Sequence, residues 1–375
     1  MITTANKKKR YTKKDTGSLI RSFITKNFES GEMIPGESEL ISSLKVTRYS
    51  LLKELTKLEI EGIIERRQGQ GTFISKRRNG VNSRNIAFIA NEFESHMNAE
   101  LMRGVDDYFR KRNLHLFLLN GNYDKKQEVL NLKKAKEEHF GGVIAILDPD
   151  SESLEAAKAL VEGNIPFVQI DRHYERIDTP VVEADHEKGA YEAVCYLISK
   201  GHRRIAHITF PDPAHSSLSS VEERYKGYVK ALQDHNIELK KEYLQQITGI
   251  NLGEHCPDAI KDMMGYEPMH KLISMNEPPT ALFLLNDSIA PSVYKAINNH
   301  GLNIPDDISV VGFNNDILAQ YLNPPLTTIE QPFREIGRKA AGLLETLMEG
   351  ETIPNKRIII NGNLRERESV QRINT

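Results

Sequence analysis

From residue 86 onward the chain repeats one pattern: a short, mostly apolar run, then a longer stretch with apolar positions at helical spacing. The runs are IAFIA (86–90), LHLFLL (114–119), GVIAIL (142–147), PFVQI (166–170), RIAHIT (204–209), TALFLL (280–285) and ISVVGF (308–313). A strand with one face in water alternates apolar and polar residues, whereas a run apolar throughout is buried on both faces, as in a parallel sheet sandwiched by helices. The pattern predicts an α/β fold, with enough units for two such sheets in series. Ligands of open α/β sheets bind beyond the carboxyl ends of the strands, so two lobes facing each other over a cleft are expected.

The residues that follow these runs carry the chemistry. Asp171 and Arg172 end one strand; Asn286 and Asp287 end another; Asn314, Asn315 and Asp316 end a third, with Arg224 in ERYKG and Gln331 in TTIEQP nearby in pattern. Fork-shaped donors mixed with amide and carboxylate acceptors suit a polyhydroxylated ligand, because each hydroxyl both gives and takes a hydrogen bond.

The first eighty residues are of another kind. Residues 1–84 hold 18 Lys and Arg against 9 Asp and Glu, a balance of +9, while residues 85–375 hold 32 against 43, a balance of −11. A basic head on an acidic body confines a nucleic-acid footprint to one end. Leu19, Ile20, Phe23, Ile24 and Phe28 predict a first helix stopping near Gly31; Leu40, Ile41 and Leu44 a short second one. Thr47 is placed to cap a third, with Leu51, Leu55 and Leu58 facing inward and Gly62 closing it. Residues 63–74 then alternate and turn at Gly69 and Gly71, as a two-stranded wing does. A winged helix-turn-helix points the start of its third helix into the major groove, which presents Thr47, Arg48, Tyr49 and Ser50 to DNA. The wing would bring Gln70 to the backbone, with Arg66 and Arg67 on its flank.

The stretch IPGESELISSLKVTRYSLLKELTKLEIEGIIERRQGQGTFI (34–74) resembles the GntR-family DNA-binding domain. That resemblance implies contacts to double-stranded operator DNA from Ser38, Thr47, Arg48, Ser50 and the segment Gly69–Gln70–Gly71. Leu52 stands where the family often carries an arginine, with Lys53 beside it, and the loop before Pro35 is shorter than usual. The segments LISKGHRRIAHIT, ERYKGYVKAL, PTALFLLNDSIA, IPDDISVVGFNND and PPLTTIEQPFREIGRKAAGLL resemble the LacI/GalR effector domain, itself similar to periplasmic sugar-binding proteins. This second resemblance implies effector contacts at Asp171, Arg172, Arg224, Asn286, Asn314 and Gln331, with Ser95, His96, Met97 and Asn98 facing the cleft. Asn314 occupies a position that is frequently Asp in relatives, and the helix-turn-helix usual to that family is replaced by the GntR-like head.

The expected organisation is a winged helix-turn-helix over 1–76, a polar, basic linker over 77–85, and a two-lobed effector-binding and dimerisation domain over 86–375. GQGT lacks the Lys-Ser/Thr of a phosphate loop, no GxSxG or HExxH occurs, and the twelve histidines show no metal spacing. No enzyme, metal or cofactor is expected. Two cysteines outside any CxxC pairing and no apolar run of membrane-spanning length point to the cytoplasm. The reading is a homodimeric, sugar-responsive transcriptional regulator, most simply a repressor, whose effector is a monosaccharide or a sugar phosphate. An activator or a dual regulator with the same parts, or a sugar-binding scaffold whose basic head docks onto RNA or an acidic protein, stays open.

Overall fold

The computed structural model describes residues 13–29, 31–60, 63–67, 69–74, 84–148, 151–247 and 264–373. Gly62, most of the linker, Cys256 and the basic stretch 7–12 lie outside the described residues.

The head is built from α1 (Lys13–Asn27), α2 (Glu37–Leu44), α3 (Arg48–Ile60) and a hairpin of β1 (Ile64–Arg67) and β2 (Gly71–Ile74). Ile20 and Ile24 of α1, Leu40 of α2, Leu51, Leu55 and Leu58 of α3 and Ile64 of β1 form one small core. Leu19 departs from the expectation: it is 37% exposed, since α1 already fills the core with the residues one turn apart. The first helix also ends at Asn27, four residues before Gly31. The wing has more than two strands of backbone pairing. Residues 31–34 run along β2, with Ile34 N donating to Thr72 O and Ile74 N to Glu32 O, and Met33 bridges Phe73.

The body is two six-stranded sheets. The first lobe holds β3 (Asn85–Ala90), β4 (His115–Asn120), β5 (Gly142–Ala145), β6 (Phe167–Ile170), β7 (Val181–Ala184) and β13 (Arg357–Ile360), in the order β13-β7-β6-β5-β3-β4, all parallel. The second holds β8 (Ile205–Thr209), β9 (Leu244–Gln246), β10 (Ala281–Leu284), β11 (Ser309–Asn314), β12 (Thr327–Glu330) and β14 (Asn363–Arg365), in the order β14-β12-β11-β10-β8-β9; only β14 is antiparallel. The apolar runs buried as foreseen in β3, β5, β6, β8, β10 and β11. The run at 114–119 did not: β4 is an edge strand, and Phe117 and Leu118 are nearly half exposed.

The chain passes between the lobes three times. It leaves β7 for α7 (His186–Ser199), which packs on α8 (Ser219–Asp234) in the second lobe; it returns from β12 into α11 (Phe333–Met348), which packs on α4 (His96–Phe109) in the first; and it crosses once more from β13 to β14. Both helix pairs use glycine for close approach. A Cβ on Gly104 would sit 2.1 Å from Arg334 O, one on Gly337 2.1 Å from Leu101 O, and one on Gly227 2.2 Å from Glu187 O. These close contacts bring α4 and α11, like α7 and α8, together as units.

Candidate effector cleft and nucleic-acid interface

A cavity of about 500 Å³ lies between the lobes, beyond the carboxyl ends of β3, β5, β6, β10 and β11. Ser95, Met97, Asn98, Asp171, Arg172, Arg224, Asn286 and Asn314 all line it, so the structure brings together eight of the ten expected effector residues. His96 and Gln331 are not among them. They face a separate cavity of about 420 Å³ beside the crossover at residues 330–333. Ser95 caps α4 by accepting the amide of Asn98.

The first lobe contributes two acceptors, Asn98 and Asp171, and one donor, Arg172. Asn98 is held by its amide group, which donates to Glu92 O at 2.8 Å and Glu92 Oε1 at 2.5 Å, leaving Oδ1 without a partner. Asp171 follows β6 with φ 67°, a left-handed conformation that a non-glycine residue rarely takes, and is buried. Burial pushes its carboxyl up from the ordinary value, against the pull of Arg172 and Arg224. Arg172 lies 3.6 Å from Asp148 and 3.6 Å from Asp171, and its Nε has no hydrogen-bond partner.

The second lobe contributes Arg224, whose Nη1 donates to Leu285 O at 2.8 Å while the guanidinium lies 4.2 Å over the ring of Phe313. Burial, the largest effect, moves it down to about 10, and its Nε too is unpartnered. Asn286 Oδ1 accepts from the Ser288 hydroxyl. Asn314, with φ 110°, accepts the amide of Gln331 at 2.5 Å. One lone pair of its oxygen is engaged there, and Asn314 also brings an NH2, a donor where an aspartate would offer only acceptors.

The strand-end rule also covers residues not singled out from the sequence. Asp148 comes three residues after β5, is 3% exposed, lines the cleft and has an unpartnered Oδ2. Behind it Glu128 is buried and raised to about 7 by loss of solvent. Phe210 and Tyr123 add aromatic surface to the same walls.

In the head, Thr47 caps α3: its Oγ1 accepts the Ser50 amide at 3.2 Å and lies 3.0 Å from the Ser50 hydroxyl. Arg48 and Tyr49 stand out at 75% and 72% exposed, and Ser38 and Lys53 are exposed too. The only described partner of Arg48 is Glu37, at 3.7 Å. Gly69 and Gly71 have φ 72° and 119°, which the tight wing turn requires, and Gln70 is exposed at its tip. Arg67 is more engaged than expected. It pairs with Glu65 and stacks 4.5 Å over Phe73, while Arg66 pairs with Glu59 at 3.2 Å.

Residues 194–370 match the periplasmic binding protein-like domain, and residues 16–74 the bacterial regulatory proteins of the gntR family. The HTH-type transcriptional repressor PurR of Aliivibrio fischeri is 31% identical over 267 residues, 70% of this chain and 74% of that one. This chain belongs to the bacterial transcriptional regulators with a periplasmic-binding-protein-like domain. The regulator is also 28% identical to the arabinose metabolism transcriptional repressor of Geobacillus stearothermophilus over 93% of its length and 96% of the relative's. A LacI family transcriptional regulator from Enterococcus faecium, solved with bound ribose, superposes with a TM-score of 0.65 at 24% identity over 77% of this chain and all of that one, a likeness of fold. The regulator is therefore a DNA-binding protein of transcription and not an enzyme. Among its described residues no helix is long and apolar enough to cross a membrane.

Proposed function

We propose that the regulator is a homodimeric, cytoplasmic repressor of carbohydrate-utilisation genes whose hold on operator DNA is set by a sugar bound between its lobes. One observation carries the ligand class. Four buried polar atoms without a hydrogen-bond partner belong to residues lining the cleft: Asn98 Oδ1 and Asp148 Oδ2, which accept, and Arg172 Nε, which lies 3.6 Å from Asp171 Oδ2, and Arg224 Nε, which donate. An unpartnered buried group costs roughly 1–3 kcal/mol, so a ligand able both to donate and to accept would recover it. A sugar hydroxyl does both, and Phe210 offers a face for the sugar's C–H side. The relative concerned with arabinose metabolism supports the same class.

In this reading Ser38, Thr47, Arg48, Tyr49, Ser50, Lys53 and the wing at Gly69–Gly71 meet the DNA. Two heads on one dimer bind a pseudo-palindrome far better than one, since the second contact is intramolecular. Closure of the cleft on the sugar resets the lobes and with them the heads; a coupling of about 1–3 kcal/mol makes a useful switch.

A thermal-shift panel of aldopentoses, aldohexoses, cellobiose and their phosphates tests the sensor, because a ligand of the folded form raises the melting temperature. The stabilising sugar should then weaken binding to the DNA upstream of the regulator's own gene by tenfold or more in an anisotropy titration. Replacing Arg224 with Met should remove that response and leave sugar-free DNA binding intact. A panel with no stabilising member would defeat the sugar reading.

A further inference from the structure

His186 is fully buried at the first crossover between the lobes, one residue after the Asp185 that caps α7. No expectation from the sequence included it. Its ring touches one cleft residue from each lobe. Nε2 lies 3.3 Å from the backbone oxygen of Asp171, in the first lobe, and Nδ1 lies 3.4 Å from Nη2 of Arg224, in the second. Phe313, which carries the Arg224 guanidinium on its face, also stacks obliquely on the His186 ring, with centroids 6.2 Å apart.

The chemistry admits one arrangement. A guanidinium only donates and a backbone carbonyl only accepts, so Nδ1 must be bare and Nε2 must carry the hydrogen. A charged imidazolium would turn an N–H toward Arg224. Burial and then Arg224 hold His186 well below its ordinary value, in keeping with a neutral ring. Both contacts are long for hydrogen bonds, and both act on residues that need restraint. Asp171 is held at positive φ, and Arg224 is fixed by Leu285 O and by this ring.

We infer that His186 is a positioning residue: as the neutral Nε2–H tautomer it ties Asp171 to Arg224 across the hinge, so that ligand contacts in the two lobes are set together. The inference rests on the cleft being the effector site. It adds that one link between the lobes passes through a side chain which need not touch the ligand.

Two measurements on the full chain test this. The first needs no ligand. In protein labelled with 15N at histidine, the signal lost in His186→Phe should be a ring bonded to hydrogen at Nε2 with a bare Nδ1 at pH 7; the opposite tautomer, or an imidazolium, overturns the proposal. The second uses whichever sugar of the thermal-shift panel stabilises the wild type. His186→Phe keeps the ring and loses both contacts, whereas His186→Gln keeps an acceptor and a donor. The Phe variant should bind that sugar at least tenfold more weakly and bind DNA without sugar within twofold of wild type, with the Gln variant recovering most of the lost affinity. Wild-type sugar binding by the Phe variant would overturn the role, as would equal loss in both variants accompanied by equal loss of thermal stability, which a merely structural residue would give. If no sugar stabilises the wild type, the sugar reading fails, and the tautomer measurement still judges the geometry.

Discussion

Arg357 and Glu223 meet across the seam between the lobes: Nη2 of the arginine, on β13, lies 2.6 Å from Oε1 of the glutamate, on α8. The same guanidinium turns its Nε to Glu183, which is wholly buried on β7, and Glu183 also takes His173 Nδ1 at 3.0 Å. One buried carboxylate is thus held by a guanidinium and an imidazole, and the guanidinium also reaches into the other lobe. Arg357→Met should lower the sensor's stability in urea denaturation by about 1–3 kcal/mol, less than for a fully buried pair because the arginine is 44% exposed. Glu223→Gln, which leaves Glu183 partnered, should change it by less than about 1 kcal/mol. Equal losses for the two would remove Glu183 from the centre of this cluster.

His173 makes the same cluster pH-dependent. The bond to Glu183, the largest effect, raises its pKa above the ordinary 6.5, against burial. A raised histidine gives stability that is whole below the unfolded value and fades as pH rises through the folded one. His173→Gln should therefore destabilise more at about pH 5.5 than at about pH 9, read as the difference in urea midpoint between variant and wild type. A pH-independent difference would show that the histidine carries no charge there.

Arg48 is three-quarters exposed at the start of α3, with Glu37 as its described partner. Arg48→Ala should narrow the gap between specific and scrambled duplexes by about 1–3 kcal/mol, the worth of one bidentate base contact. Anisotropy titrations of both duplexes at one salt concentration measure that gap. Weakening by the same factor on both would make Arg48 a phosphate contact instead.

The helix pair of the first lobe has no room for a methyl group. Gly104→Ala would place a carbon 2.1 Å from Arg334 O, and relieving such a clash typically costs about 1–3 kcal/mol. A thermal melt should show the loss, while Gly36→Ala, where nothing lies within 4 Å, serves as the control.

The sequence was most legible where burial is complete. Runs such as GVIAIL and TALFLL admit few alternatives to a two-sided strand, and they became the centres of the two sheets. The strands that went unnoticed, β7, β9, β12, β13 and β14, are three or four residues long, and several carry polar residues such as Glu183 or Thr327 whose partners are distant in sequence. Run composition also misled at β4, because an apolar run does not say whether a strand has a neighbour on each side. In the cleft, looking just past each strand found Asp171, Asn286 and Asn314, and the same rule applied to GVIAILD would have found Asp148. His186 could not be found so. It lies at the start of a helix, and its significance comes from Asp171 and Arg224, 15 residues before it and 38 after it.

The threefold passage of the chain between the lobes has a consequence for how the molecule is made. The first lobe waits for α11 and β13, and the second for β14, so neither sheet is complete until the strands at residues 357–365 have left the ribosome. The described residues of the head's core, by contrast, all lie between Ile20 and Ile74. During synthesis the DNA reader can thus be assembled while the receptor that governs it is still unfinished, and no contiguous fragment of the receptor contains one whole lobe without part of the other.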